Sequence, residues 1–206
     1  MSSDLSIDVA RTALLLMDFQ NDIVAKGSAL APSEEEPLAR ISAAMAVANV
    51  AAEAARAAGV PVIHVALGRR SGEPPVNPSV PILQFIAKAN VLVEGSEGFA
   101  FHPDARPKEG DTVVVKRGVS AFAGTELGLL LRGRDINTIV LCGFATHMVV
   151  VGTAREAADN GFRVVVLADG CSSGGLTKHK AALENIAMIG AVSDSGSFAA
   201  ALKKGR

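Results

Sequence analysis

Short runs of consecutive apolar residues recur along this chain at intervals that a helix can bridge, and this alternation restricts the fold more than any other feature. The runs are TALLLM (12–17), VPVIHVAL (60–67), DTVVVK (111–116), INTIVLCG (136–143) and FRVVVLADGCSS (162–173). Unbroken apolar runs of this length suit strands covered on both faces. Helical stretches separate them. PSEEEPLARISAAMAVANVAAEAARAAG reads as a long helix, with Ser33 as its N-cap, glutamates at the positive end of the dipole and Gly59 as its stop. TELGLLLRGRD (125–135) reads as a second, and the segment after Gly143 as a third that ends at Gly161. TKHKAALENIAMIG, AVSDS and SFAAALKKG add a helix, an edge strand and a last short helix. Strands joined by helical crossovers imply right-handed βαβ units and a parallel sheet. The expected fold is α/β: a three-layer αβα domain with a mostly parallel, doubly wound, Rossmann-like sheet of about six strands. No repeat or linker divides the chain, so residues 1–206 are expected to form a single domain.

One segment departs from this pattern. Residues 68–110 are rich in Pro and Gly, with a short helix expected near 82–87. Such a stretch is either a lid or binding loop, or a surface excursion. Composition removes several classes of function. Net charge is −1, Trp and Tyr are absent, and no basic cluster occurs, so neither a nucleic-acid surface nor a polybasic membrane patch is expected. Cys142 and Cys171 are too few for a disulfide scaffold and lack metal-ligand spacing. Reduced thiols in a cytoplasmic protein are expected. MSSDLSIDVARTALLLMDFQ has no signal-peptide pattern, and no run approaches a membrane span. No G-x-G-x-x-G follows the first strand and no P-loop occurs, which disfavours a nucleotide-binding protein.

Ligands of open parallel sheets bind at the carboxyl ends of the strands. Asp18 directly follows the first strand, Lys116 ends the third, and Gly143 to Val149 follows the fourth. If these strands are neighbours, an acid, a lysine and a helix N-terminus open onto one crevice. Unpaired N–H groups at such a helix end can bind a carboxylate or a developing oxyanion. Taken singly, Asp18 reads as a turn cap and Lys116 as a solvated strand end. Their convergence points to function.

The stretches ALLLMDFQNDIV, VVVKRGVSAFAGTELGLLLRGRDINTIVLCGFATHMVVVGTAREAADNGFRVVVLADGCSS and KHKAALENIAMIGAVSDS resemble the isochorismatase-like hydrolases, or cysteine hydrolases. The order of Asp, Lys and Gly-x-Ala-Thr carries the resemblance. In that family an Asp, a Lys and a Cys form the catalytic triad, which implies Asp18, Lys116 and, at the cysteine's position, Val149. The resemblance also implies a non-proline cis peptide at Phe144–Ala145, and an oxyanion hole from the N–H groups of Ala145 and Val149. Family members are commonly dimers or tetramers, so a homo-oligomer is expected.

A valine side chain has no lone pair, so the family's thioester route is closed unless another residue substitutes. Cys142 lies within a strand. Cys171 follows the next one, where it reads either as a thiol on the same side of the sheet or as a small buried residue. Thr146 and Thr153 read as backbone-bonding groups. Siderophore-type isochorismatases also lack the cysteine. In them the Asp is thought to protonate an enolpyruvyl carbon before water attacks, which needs no nucleophilic side chain. A general acid there requires a raised pKa, which burial favours and Lys116 opposes.

His147 coincides with a histidine of those enzymes and reads either as a substrate contact or as a structural hydrogen-bonding group. Gln20 and Asn21 either line the crevice or orient Asp18, and Phe19 and Phe122 supply an apolar wall; the FQND stretch also reads simply as a turn, and Phe122 as core. The nicotinamidases' Asp-x-His-His metal pattern is reduced to His64 in VIHVALGRRSGE, so neither metal nor other cofactor is expected and His64 reads as core. Arg69 and Arg70 read either as carboxylate ligands or as a solvated loop, and His102 and His179 as exposed. Two functional readings follow. One is a cysteine-less hydrolase of a small anionic metabolite, with Asp18 moving the proton and water attacking, as in vinyl-ether cleavage. The other is a non-catalytic metabolite-binding or oligomeric scaffold.

Overall fold

The computed structural model describes residues 5–205, so the start of the segment read for a leader lies outside it. Six parallel strands form one sheet in the order β3-β2-β1-β4-β5-β6. They are β1 (Thr12–Met17), β2 (Val62–Leu67), β3 (Thr112–Lys116), β4 (Thr138–Phe144), β5 (Arg163–Ser172) and β6 (Ala191–Ser193). The helices are α1 (Asn21–Val24), α2 (Glu35–Ala58), α3 (Pro81–Ala89), α4 (Leu127–Gly133), α5 (Val151–Asp159), α6 (Leu176–Ile186) and α7 (Ser195–Lys204).

Side-chain alternation along the strands builds the three layers. In β1, Leu14 and Leu16 enter one core with Ile41, Met45, Ala48 and Phe198 from α2 and α7. Ala13, Leu15 and Met17 enter the other with Leu127, Leu131, Ala154, Ala157 and Ile186 from α4, α5 and α6. Burial of both faces explains the apolar runs. A Leu16→Ala change would cost about 2–5 kcal/mol.

Helix α2 corrects two expectations. Its N-cap is Glu34 rather than Ser33, without a side-chain cap bond. At 24 residues it is also long and apolar enough to cross a membrane by length and composition. Its place is in the core, where its alanine-rich face (Ala44, Ala48, Ala51, Ala52, Ala55) lets it lie close to the sheet. Gly59 ends it as expected, in the left-handed conformation (φ 80°), while the Val60 N–H bonds back to Ala55 O at 2.9 Å.

The 68–110 segment is tied to the end of the sheet. Arg69 and Val93 form a bridge, as do Gln20 and Phe101. Leu92 N–H donates to Asp22 Oδ2 at 2.7 Å. These ties lay α3 across the carboxyl ends of the strands, with Leu83 and Ile86 buried beneath it.

Candidate active site

Strand order reverses between β1 and β4, and the crevice opens at that switch point. Gly143 permits it. A Cβ there would stand 2.6 Å from Met17 O, so only glycine lets the two strand ends run this close. The Phe144–Ala145 peptide that follows is cis. Residues Thr146–Val150 then form a wide π-type turn before α5. Two side-chain bonds fix this turn: Thr146 Oγ1 with His179 Nδ1 at 2.8 Å, and His147 Nδ1 with Ser173 Oγ at 3.0 Å.

Asp18 leaves β1 in the left-handed region (φ 62°), which Asp tolerates better than most residues. Lys116 does not come from a neighbouring strand. It ends β3, and β2 lies between β3 and β1. Strands about 4.8 Å apart leave a gap that a lysine can cross, and its Nζ stands 2.9 Å from Asp18 Oδ2. The side chains are 0% and 3% exposed respectively. Lys116 Nζ also donates to Val119 O at 2.7 Å, while Asp18 Oδ1 is buried without a hydrogen-bond partner among the described residues. Burial raises the Asp18 pKa, against the pull of Lys116, and lowers that of Lys116 against the pull of Asp18.

A cavity of about 370 Å³ opens over this pair, within the range of roughly 300–1,000 Å³ that holds small molecules. Asp18, Phe144, Ala145, His147 and Val149 line it, and Ile82 and Ile86 of α3 supply a wall. Val149 therefore lines the same cavity as Asp18, largely buried at 8% exposure. Its N–H donates to Ala145 O at 2.9 Å, an acceptor shared with Met148 and Val150. An oxyanion using the Val149 amide must share that N–H with Ala145 O, a condition the sequence did not disclose.

Several expected lining residues lie elsewhere. Phe19 is buried in the α2-side core, and Phe122 stacks on Phe162 with centroids 5.9 Å apart. Gln20 is a clamp: its Nε2 donates to Leu67 O and Phe99 O, and its Oε1 accepts from Leu67 N–H at 2.7 Å. Asn21 Nδ2 donates to Glu97 O. Both residues hold the 68–110 segment. Thr153 Oγ1 accepts from Ala121 N–H. His102 and His179 are half-buried rather than exposed.

His64 is a core residue, 3.1 Å from Asp111 Oδ2 and edge-on to Phe101. Arg69 is tied to Asn90 and to Val91 O, and Arg70 pairs with Glu73 at 3.5 Å. These arginines border a separate cavity of about 260 Å³. Lys178 escaped sequence reasoning; it stands in the first turn of α6 and lines the main cavity.

The two thiols lie off this cavity. Cys142 is buried in the α2-side core and its pKa is pushed well above the ordinary thiol value. Cys171 is buried on the other face, its Sγ 3.7 Å from Leu141 O, and burial pushes its pKa up to about 12. Neither is a thiolate at neutral pH.

Comparison with known proteins agrees with this architecture. The Isochorismatase domain matches residues 12–197. An uncharacterized isochorismatase family protein, YecD of Escherichia coli O157:H7, is 32% identical over 191 residues, covering 88% of this chain and 90% of that protein. The ureidoacrylate amidohydrolase RutB of Methylobacterium radiotolerans is 32% identical over 219 residues, covering 96% of this chain and 82% of its own. A cysteine hydrolase structure from Pseudomonas syringae pv. phaseolicola superimposes with a TM-score of 0.87 over all of both chains; at 22% identity this is a likeness of fold. The chain belongs to the isochorismatase family.

Proposed function

We propose that this protein is a hydrolase that works without a nucleophilic thiol, with Asp18 as its proton donor. The carrying observation is that Asp18, paired with buried Lys116, lines one cavity with Val149, and that neither cysteine lines it. Burial raises the Asp18 pKa against the pull of Lys116, and one of its oxygens has no partner among the described residues; both favour a general acid. Lys116 fixes the other oxygen and, through Val119 O, the turn behind it. Vinyl-ether cleavage fits these groups. The Asp18 proton adds to the enol-ether carbon, and the ether oxygen stabilises the resulting oxocarbenium ion. Water attacks that ion and returns a proton to Asp18. The hemiketal collapses, releasing an alcohol and a ketone.

Relatives that hydrolyse amides, such as the ureidoacrylate amidohydrolase, supply a comparison substrate class. Val149 has no electron pair with which to form their acyl intermediate. The second reading, a non-catalytic binding protein, is favoured by the same valine. Pyruvate release from isochorismate, beside amide and ester substrates, separates the two. Release by the native protein that disappears in folded Asp18→Asn supports the hydrolase. Absence of turnover across the series, with a ligand that raises the melting temperature, supports the binding protein. The same account expects a cytoplasmic homo-oligomer, which gel filtration with light scattering tests for assembly.

A further inference from the structure

Lys178 is placed where stability alone would not put it. It occupies the first turn of α6, whose dipole end is positive and disfavours a cation. Among the described residues it has neither an ion pair nor a hydrogen bond. Its neighbour across the cavity edge is His147, whose pKa is lowered by burial and by the Lys178 charge, which favours the neutral imidazole. Ser173 Oγ accepts from the His147 backbone N–H at 3.3 Å, and its own proton can go to Nδ1, leaving Nε2–H as a donor.

His147 and Lys178 also line a second cavity, of about 540 Å³, which Arg155 borders. They thus form the shared edge of two cavities. Among the described residues Asp18 is the sole carboxylate lining either one, and burial favours its protonated form. Elsewhere the main cavity is aliphatic, with Ile23, Leu30, Leu67, Ile82 and Ile86. The lining therefore combines one cation, one acid and an otherwise largely apolar wall.

We propose that Lys178, with His147, is the anion-recognising end of this cavity, and that the substrate is a small carboxylate with an apolar body whose scissile bond reaches Asp18. The assignment rests on this cavity being the substrate site. A ligand anion supplies the partner that Lys178 lacks, and the aliphatic wall excludes polyols and cations. Lys178 is a specificity-determining residue here, distinct from the proton-transferring pair.

Titration calorimetry tests this with benzoate, phenylacetate and crotonate, each beside its primary amide, on the native full-length chain and on Lys178→Met. The side chain is exposed, so the substitution leaves the core intact. At least one carboxylate is expected to bind the native protein about three- to fivefold more tightly than its amide, the scale of an exposed ion pair. Lys178→Met should abolish that preference and leave amide binding within about twofold, and Lys178→Arg should restore it. Equal binding of acids and amides, binding of no carboxylate, or a preference that survives Lys178→Met overturns the assignment. A native protein that prefers the carboxylates yet turns over no substrate retains the anion site and loses the hydrolase reading, so the two failures are distinct.

Discussion

Replacing Asp18 and Lys116 singly and together measures how far this pair depends on itself. Lys116→Met removes the cation and leaves the Asp18 carboxyl in a site that excludes water. Breaking a buried pair from one side typically costs about 3–5 kcal/mol. For a domain of this size each kcal/mol lowers Tm by about 2–4 °C, so Lys116→Met should lose about 6–20 °C. Asp18→Asn keeps the volume and the left-handed backbone, and strands the lysine, with a loss of the same order. The double variant carries no buried charge. Its remaining defects are Val119 O and the buried amide at position 18, both of which lose the Lys116 partner, at about 1–3 kcal/mol each.

The double variant should therefore lose clearly less than the two single losses combined, and urea denaturation should give a coupling energy of about 2 kcal/mol or more. The pH dependence has a definite sign. The folded pKa of Asp18 is raised, so its contribution to stability is present below pH 3.8 and is lost as pH rises through the raised value. Lys116 has a lowered folded pKa, so stability is regained as pH climbs from that value towards 10.5. Native stability is therefore lowest where Asp18 and Lys116 are both charged, and the double variant should gain on native most there. Additive losses, or a difference independent of pH, would refute the reasoning.

Three further substitutions bear on how the site is held. Gly143→Ala forces a Cβ to within 2.6 Å of Met17 O, so it should lower stability by about 1–3 kcal/mol or more and reduce ligand-induced thermal shifts. Gln20→Ala removes three hydrogen bonds that join β2 to the 68–110 segment. It should cost about 1–3 kcal/mol, and limited proteolysis should cut that segment faster than in the native chain. Val149→Cys puts a thiol in the cavity that Asp18 lines; a stoichiometric burst of nitrophenolate from p-nitrophenyl acetate is expected, and its absence would show that this position does not face the reacting groups.

Much of the fold was legible because both faces of the sheet are buried. The run at 12–17 is apolar because β1 is buried on both faces at the centre of the sheet, while β3 at the edge is only partly buried; the structure places strands at Thr12–Met17 and Thr112–Lys116. Gly59 was readable for the same local reason, as a left-handed stop. Side-chain direction beyond the strand ends was not. Phe19 and Gln20 follow Asp18 in sequence, yet one enters the α2-side core and the other clamps Leu67 and Phe99. The path of Lys116 across β2 depends on strand order, which no local pattern encodes. Nothing local in the sequence marks Lys178, and only the packing of α6 beside the Thr146–Val150 turn brings it to the cavity.

The central claim is that chemistry in this cavity needs Asp18 and no cysteine. Its most direct test is turnover by a thiol-free chain, Cys142→Ala with Cys171→Ala, beside Asp18→Asn, each verified as folded by circular dichroism. Substrates would be isochorismate and small carboxylate-bearing esters and amides. The account predicts conversion by the thiol-free chain at a rate close to native and loss of conversion in Asp18→Asn. Conversion that vanishes with the two thiols and survives in Asp18→Asn would contradict it.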